Sequence, residues 1–271
     1  MIHPVYFNKN GSGFKQEELV TIGRRRKISI SKEYGVQTRL RQSYERKLRS
    51  QMNSFFADYF ADFATAFENE IDTTGLNIQS EQRLAQVLEN HYKTVIRVFG
   101  TRLLNQFTKN EEQFEIIYRD YARENVAQKI TLISMATRKR IRRIIELNVD
   151  EGLGIALLAK KIREEGKSSF SKYRSATIAR TETHNAASFA NHRIAQAQNL
   201  PNQKKRWLAT QDERSRPSHL AVSGTTVPIE EDFLVGGARM SYAGDPKGGA
   251  KNVINCRCVI LYTSDLDTIS D

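Results

Sequence analysis

The sequence predicts an α+β protein, with a predominantly helical N-terminal region of long helices followed by a small C-terminal α+β unit carrying a short antiparallel sheet. Three observations carry this. Apolar residues recur at intervals of three and four from about Val36 to Asn69 and again from Leu84 to Phe107, the helical period. The texture changes near Leu200. Beyond it, two apolar runs around Trp207 and at Val259-Ile260-Leu261-Tyr262 bracket a loop rich in glycine and proline, which is how paired strands are punctuated.

Taken in order, residues 1–35 have little helical period and few apolar residues, so an extended basic arm is expected there. It contains Arg24, Arg25, Arg26 and Lys27, then an alternating Ile28-Ser29-Ile30. Residues 36–150 read as a helical docking region. Its first helix carries Leu40, Tyr44, Leu48, Met52, Phe55, Phe56, Tyr59, Phe60, Phe63 and Phe67, a stripe that fits a helix-packing seam better than a base-stacking platform. Thr73-Thr74-Gly75 breaks the run, and Ser80 resembles the N-cap of a second helix. His91 falls on the apolar face of that helix and reads as a hydrogen-bonded core histidine. A third helical stretch runs from Glu111 through Asn125 to Leu147.

Residues 151–271 form the last region, with helices over 153–198 and a sheet unit over 204–263. A short amphipathic helix is expected over Ile155–Glu165, ended by Gly166, and a longer one from Ser171 to about Gln198, capped by Ser168 or Ser169. Alanines at 176, 179, 186, 187, 190, 195 and 197 permit close approach of a neighbour, so this helix is expected to pack on the C-terminal unit.

The charge is strongly uneven. The net +11 is concentrated in residues 1–50, with 12 Lys/Arg against 4 Asp/Glu, and residues 131–206, with 16 against 6. Such blocks attract polyanions, nucleic acid first, or an acidic assembly partner. The densest cluster is Arg138, Lys139, Arg140, Arg142 and Arg143. Five cations in six positions cannot share one helix face, and no base-reading motif accompanies them, so phosphate contact without sequence preference is expected. No apolar run is long enough to cross a membrane, and the N-terminus lacks signal-peptide features. A soluble protein made in a cytoplasm follows as the expectation, with both cysteines reduced, since one intervening residue disfavours a disulfide.

Cys256 and Cys258 are the two cysteines of the chain. In a strand, residues two apart face the same side, which would present both sulfurs together. Were the bracketing strands to pair, Asp212 and His219 could join them, giving a plausible zinc set. The competing reading is a pair of buried thiols, with His219 bonded to Asp212 or to backbone. Asp212, Arg214, Arg216 and His219 could also supply the base and cations of a phosphodiester-cleaving site, or form a polar loop locked by Arg–carboxylate pairs. No phosphate-binding loop, dinucleotide fingerprint, zinc-protease helix or serine-hydrolase elbow occurs.

In chain order stand Arg180 and Glu182 on a helix, Trp207 in a strand, then Asp212, Arg214, His219 and Gly224, a Gly/Pro loop, and Asn255-Cys256-Arg257-Cys258. Together these resemble the Mu F-like family of tailed-phage minor head, or head morphogenesis, proteins, over roughly Gly152 to Tyr262. The resemblance implies an assembly role. Its expected partners are the phage portal protein, packaged genomic DNA bound non-specifically, and other head or scaffold proteins, with residence in the virion at the portal vertex or head interior. The rival readings are a nuclease-like or toxin-like enzyme in the C-terminal unit and a zinc-stapled interaction module without catalysis.

Overall fold

The computed structural model describes residues 27–103, 111–149 and 153–270. Long helices come first: β1 (Lys27–Ser29), α1 (Ile30–Glu68), α2 (Thr74–Leu103), α3 (Glu111–Tyr121), a π-helical turn at Ala122–Val126, α4 (Ala127–Val149), α5 (Ile155–Glu165) and α6 (Ser169–Gln198). Short elements follow: β2 (Lys204–Leu208), α7 (Pro217–Ala221), β3 (Thr226–Pro228), β4 (Phe233–Val235), β5 (Ala238–Met240), a 3-10 turn at Pro246–Gly248, α8 (Gly249–Val253), β6 (Val259–Thr263) and β7 (Thr268–Ser270). The α+β class read from the sequence is the class observed. No described helix is long and apolar enough to cross a membrane.

Several boundaries move, each for a physical reason. The arm expected over residues 1–35 gives way to strand at Lys27 and helix at Ile30. Ser29 Oγ accepts from Lys32 N at 3.4 Å, starting the helix six residues before the apolar period becomes legible. Helix α2 begins at Thr74, well before Ser80, because the Asp72 carboxylate accepts from Thr74 N at 3.1 Å. The third stretch is interrupted by the π-helical turn, which leaves both Tyr121 and Val126 buried. Ser168 Oγ accepts from Ser171 N at 3.1 Å and caps α6, which starts at Ser169. Helix α5 spans the expected residues, bounded by Gly154 and Gly166.

The residues cluster into two compact units, each assembled from separate stretches of chain. One comprises residues 43–95 and 112–183. Its core is the aromatic seam: Leu48, Met52, Phe56 and Phe60 of α1 are essentially inaccessible, as are Leu84, Leu88 and Tyr92 of α2. Tyr92 and Tyr121 meet edge to face at 5.0 Å. A Cβ on Gly166 would come within 2.9 Å of the Phe56 carbonyl oxygen, so only glycine lets the end of α5 lie against α1. Burying such side chains contributes about 2–3 kcal/mol each.

The other unit comprises residues 27–42, 96–103, 111 and 184–270 of those described. Its central sheet has the order β3-β2-β6, all antiparallel, with Trp207 opposite Ile260. A hairpin pairs β4 with β5, and β1 lies parallel to β7, Lys27 opposite Thr268. Every residue of β6 is buried. The second half of α6 packs here through its alanines, and His192 and Phe189 contact the Tyr242 ring at 5.1 and 6.2 Å.

Candidate metal centre and basic surface

The metal-ligand types converge at the end of α7 and the approach to β6. Pro217 occupies the first turn of α7, where its missing N–H costs nothing. That turn carries His219 inward, where it is 2% exposed and meets Trp207 edge to face at 5.6 Å. Gly224 closes the loop behind it with φ 87°, its N–H donating to the Trp207 carbonyl at 2.7 Å.

After α8 the chain reverses through Asn255 at φ 59°, a left-handed conformation asparagine tolerates. Cys256-Arg257-Cys258 then lie outside the ladder, which starts only at Val259. The sequence places the cysteines within the strand; they precede it, yet both sulfurs meet the same imidazole. His219 Nδ1 lies 3.3 Å from Cys258 Sγ and 3.7 Å from Cys256 Sγ, and the three donor atoms all lie within 4.8 Å of one another. Both thiols are buried and unbridged.

The fourth expected donor, Asp212, is elsewhere. Its carboxylate forms a two-pronged pair with Arg257, Nη2 donating at 2.6 Å and Nη1 also donating. It accepts from Arg214 N at 3.1 Å as well. The Arg257 guanidinium first, then the Arg214 N–H and the Ser215 hydroxyl, hold the Asp212 carboxyl well below the usual carboxylate range. Arg216 donates to the Ile254 carbonyl at 2.6 Å. The four residues considered for phosphodiester chemistry are thus dispersed: Asp212, Arg214 and Arg216 lock an exposed loop, while His219 is buried with the thiols.

Two residues that the sequence reading did not place complete the centre. Arg41, from α1, donates to the carbonyls of Cys258 and Arg257, both at 2.9 Å, and to His184 Nδ1. An acceptor role at Nδ1 puts the His184 proton on Nε2. Burial pushes the His184 pKa down, opposed by the neighbouring Cys256. Gly244, at φ 88°, seals this side, since a Cβ would come within 2.6 Å of Asn185 Oδ1 and 3.0 Å of the His184 ring. The hydrogen bond from Cys258, with His184 and His219 adding to it, holds Cys256 well below the ordinary thiol range; Cys258 is pushed well above it. His184 had a signal, lying in the Arg180–His184 run on α6; Arg41 had none.

In the helical unit, Arg180 pairs with Glu45 at 3.0 Å, and Glu182 accepts from Tyr92 Oη and Lys129 Nζ, both at 2.9 Å. These family-motif residues hold helices together there. The basic cluster on α4 is sorted by the fold. Arg138 pairs with Glu81 at 2.5 Å, and Arg140 pairs with Glu165 at 2.9 Å while lying over the Phe170 ring. Lys139, Arg142 and Arg143 are exposed, and their spacing puts them on one face of the helix. Lys27 is exposed on β1, and Arg24, Arg25 and Arg26 lie outside the described residues.

Comparison with known proteins finds likenesses to part and to most of the chain. Residues 139–261 match the family described as Phage Mu protein F like protein. Among individual proteins, the chain is 26% identical to Minor head protein GP7 of Bacillus phage SPP1 over 258 residues, covering 81% of this chain and 78% of that one. It is 22% identical to Uncharacterized protein YqbB of Bacillus subtilis (strain 168) over 82% of this chain and 68% of the relative. It is also 34% identical to NAD(+)--arginine ADP-ribosyltransferase EFV of Enterococcus faecalis (strain ATCC 700802 / V583), over 42% of this chain but 23% of that protein. No solved structure matches.

Proposed function

We propose that this chain is a minor head protein of a tailed phage, acting in head morphogenesis at the portal vertex and contacting packaged DNA non-specifically. The observation that carries the reading is the likeness to the SPP1 minor head protein, which runs through four fifths of both chains and so is not confined to one shared module. The helical unit, with its aromatic seam and long exposed helix faces, suits docking on other head proteins. The stripe of Lys139, Arg142 and Arg143 suits phosphate contact, because three cations on one solvent face meet a polyanion without first breaking internal pairs. The likeness to the ADP-ribosyltransferase covers under a quarter of that protein, which supports a module common to both and not a shared reaction.

The test is cross-linking mass spectrometry on purified particles, with copy number quantified in the same samples. Low copy number with cross-links from the helices to the portal is the expected result. Absence from particles overturns the assignment; presence without portal cross-links overturns the portal placement alone.

A further inference from the structure

The head-assembly reading leaves the Cys256, Cys258 and His219 cluster without a task, and a separate inference rests on its geometry. We infer that these three side chains bind one zinc ion, which staples the loop leading from β2 through α7 to the run that enters β6.

The donor types come first. Two thiols and an imidazole are the soft and borderline donors that select zinc over magnesium or calcium, which take oxygen. The spacing comes second. A tetrahedral zinc with Zn–S of about 2.3 Å and Zn–N of about 2.0 Å sets its sulfur and nitrogen donors roughly 3.5 Å apart. The observed separations of 3.3 and 3.7 Å bracket that value.

The surroundings come third. Arg41 fixes the peptide carbonyls on either side of the second sulfur, Asn255 supplies the reversal, and Pro217 sets the helix that aims His219. The donors are therefore placed by backbone that is itself held, the condition for a tightly bound ion. Three protein donors converge among the described residues, and water takes the fourth corner. On binding, each thiol gives up its proton, and two thiolates balance the ion's charge. A neutral buried centre results, avoiding the cost of an isolated buried charge. The exposed Asp212–Arg257 pair stands outside this set and braces the same two segments from the solvent side.

The experiment uses the full chain, expressed with zinc supplied and purified without chelator. Total zinc is measured, along with zinc released when a mercurial blocks the thiols. About one zinc per chain is expected, released together with thiol modification. Cys256→Ser, Cys258→Ser and His219→Ala should each lose most of it, whereas Asp212→Asn should keep it. Because those variants can misfold, the wild-type protein is also stripped and reloaded with cobalt(II), which reports thiolate ligation and tetrahedral geometry through its visible spectrum. Sulfur-to-cobalt charge transfer with intense tetrahedral bands supports the site. Wild-type protein that carries no zinc and gives no such spectrum overturns it, and loss of zinc from Asp212→Asn overturns the three-donor assignment.

Discussion

Glu182 in the helical unit and the Cys256–Cys258–His219 cluster in the sheet unit are both buried and polar, yet the fold treats them in opposite ways. Glu182 receives a proton donor and a cation from this same chain, Tyr92 and Lys129, each at 2.9 Å. His219 Nε2 is buried without a hydrogen-bond partner among the described residues, and its Nδ1 faces two buried thiols that also bond to each other. A polar group satisfied internally explains itself as structure. The convergent donors of the other site, His219 Nδ1 and two sulfurs, are the ones the zinc inference assigns to an ion.

Four measurements sharpen or break that contrast, the largest effect first. Phe56→Ala, which empties the aromatic seam, should cost about 4 kcal/mol in denaturant unfolding; a loss below about 1 kcal/mol would mean the seam is not the core of its unit. Lys129→Met leaves Glu182 buried with only the Tyr92 hydroxyl, and a loss of about 3 kcal/mol is expected in the same assay. A neutral outcome would remove the distinction between the two sites.

Acid sensitivity comes next. Burial pulls His91 from its ordinary pKa of 6.5 down to about 4, while its Nε2 bonds to Thr183 Oγ1 at 2.8 Å. The folded pKa is depressed, so the unfolded chain binds more protons between those values. Stability from this site is therefore present above pH 6.5 and is lost as pH falls towards 4, by about 3 kcal/mol in full. His91→Gln should flatten that window relative to wild type; an unchanged pH profile would place His91 in a solvated setting. The smallest change in stability belongs to the surface. Lys139→Gln, Arg142→Gln and Arg143→Gln together should leave stability within about 0.5 kcal/mol. The same triple variant should reduce the slope of log affinity against log salt for duplex DNA by about 2–3. An unchanged slope would move any DNA contact elsewhere.

What the sequence disclosed follows the range of the interactions. Helix α5 was legible because Gly154, Gly166 and the apolar period between them all lie within a dozen residues. The aromatic seam on α1 was legible for the same reason. Cys256 and Cys258 were legible as a pair because two-residue spacing fixes their side in any extended backbone. The start of α1 at Ile30 was not, since Tyr34 and Gln37 are fixed by Thr210 and the Ile260 carbonyl, far along the chain. Nor was Arg41, whose acceptors lie more than 200 residues away in sequence. Asp212 reads as a companion of His219 because of its charge and proximity in sequence, and only the fold reveals its pairing with Arg257.

The pairing of β1 with β7 has a consequence for synthesis. Lys27 aligns with Thr268, and Arg41 waits for the carbonyls of Arg257 and Cys258. On the ribosome, the stretch from residue 27 to 42 emerges early and stays without these partners until residue 270 has left the exit tunnel. The helical unit, complete by residue 183, faces no such delay. The helical unit is therefore expected to fold as it emerges, whereas the sheet unit must close loops of more than 200 residues before it can form. A nascent chain arrested after α6 should already protect the aromatic seam while residues 27–42 remain open to a protease or a chaperone.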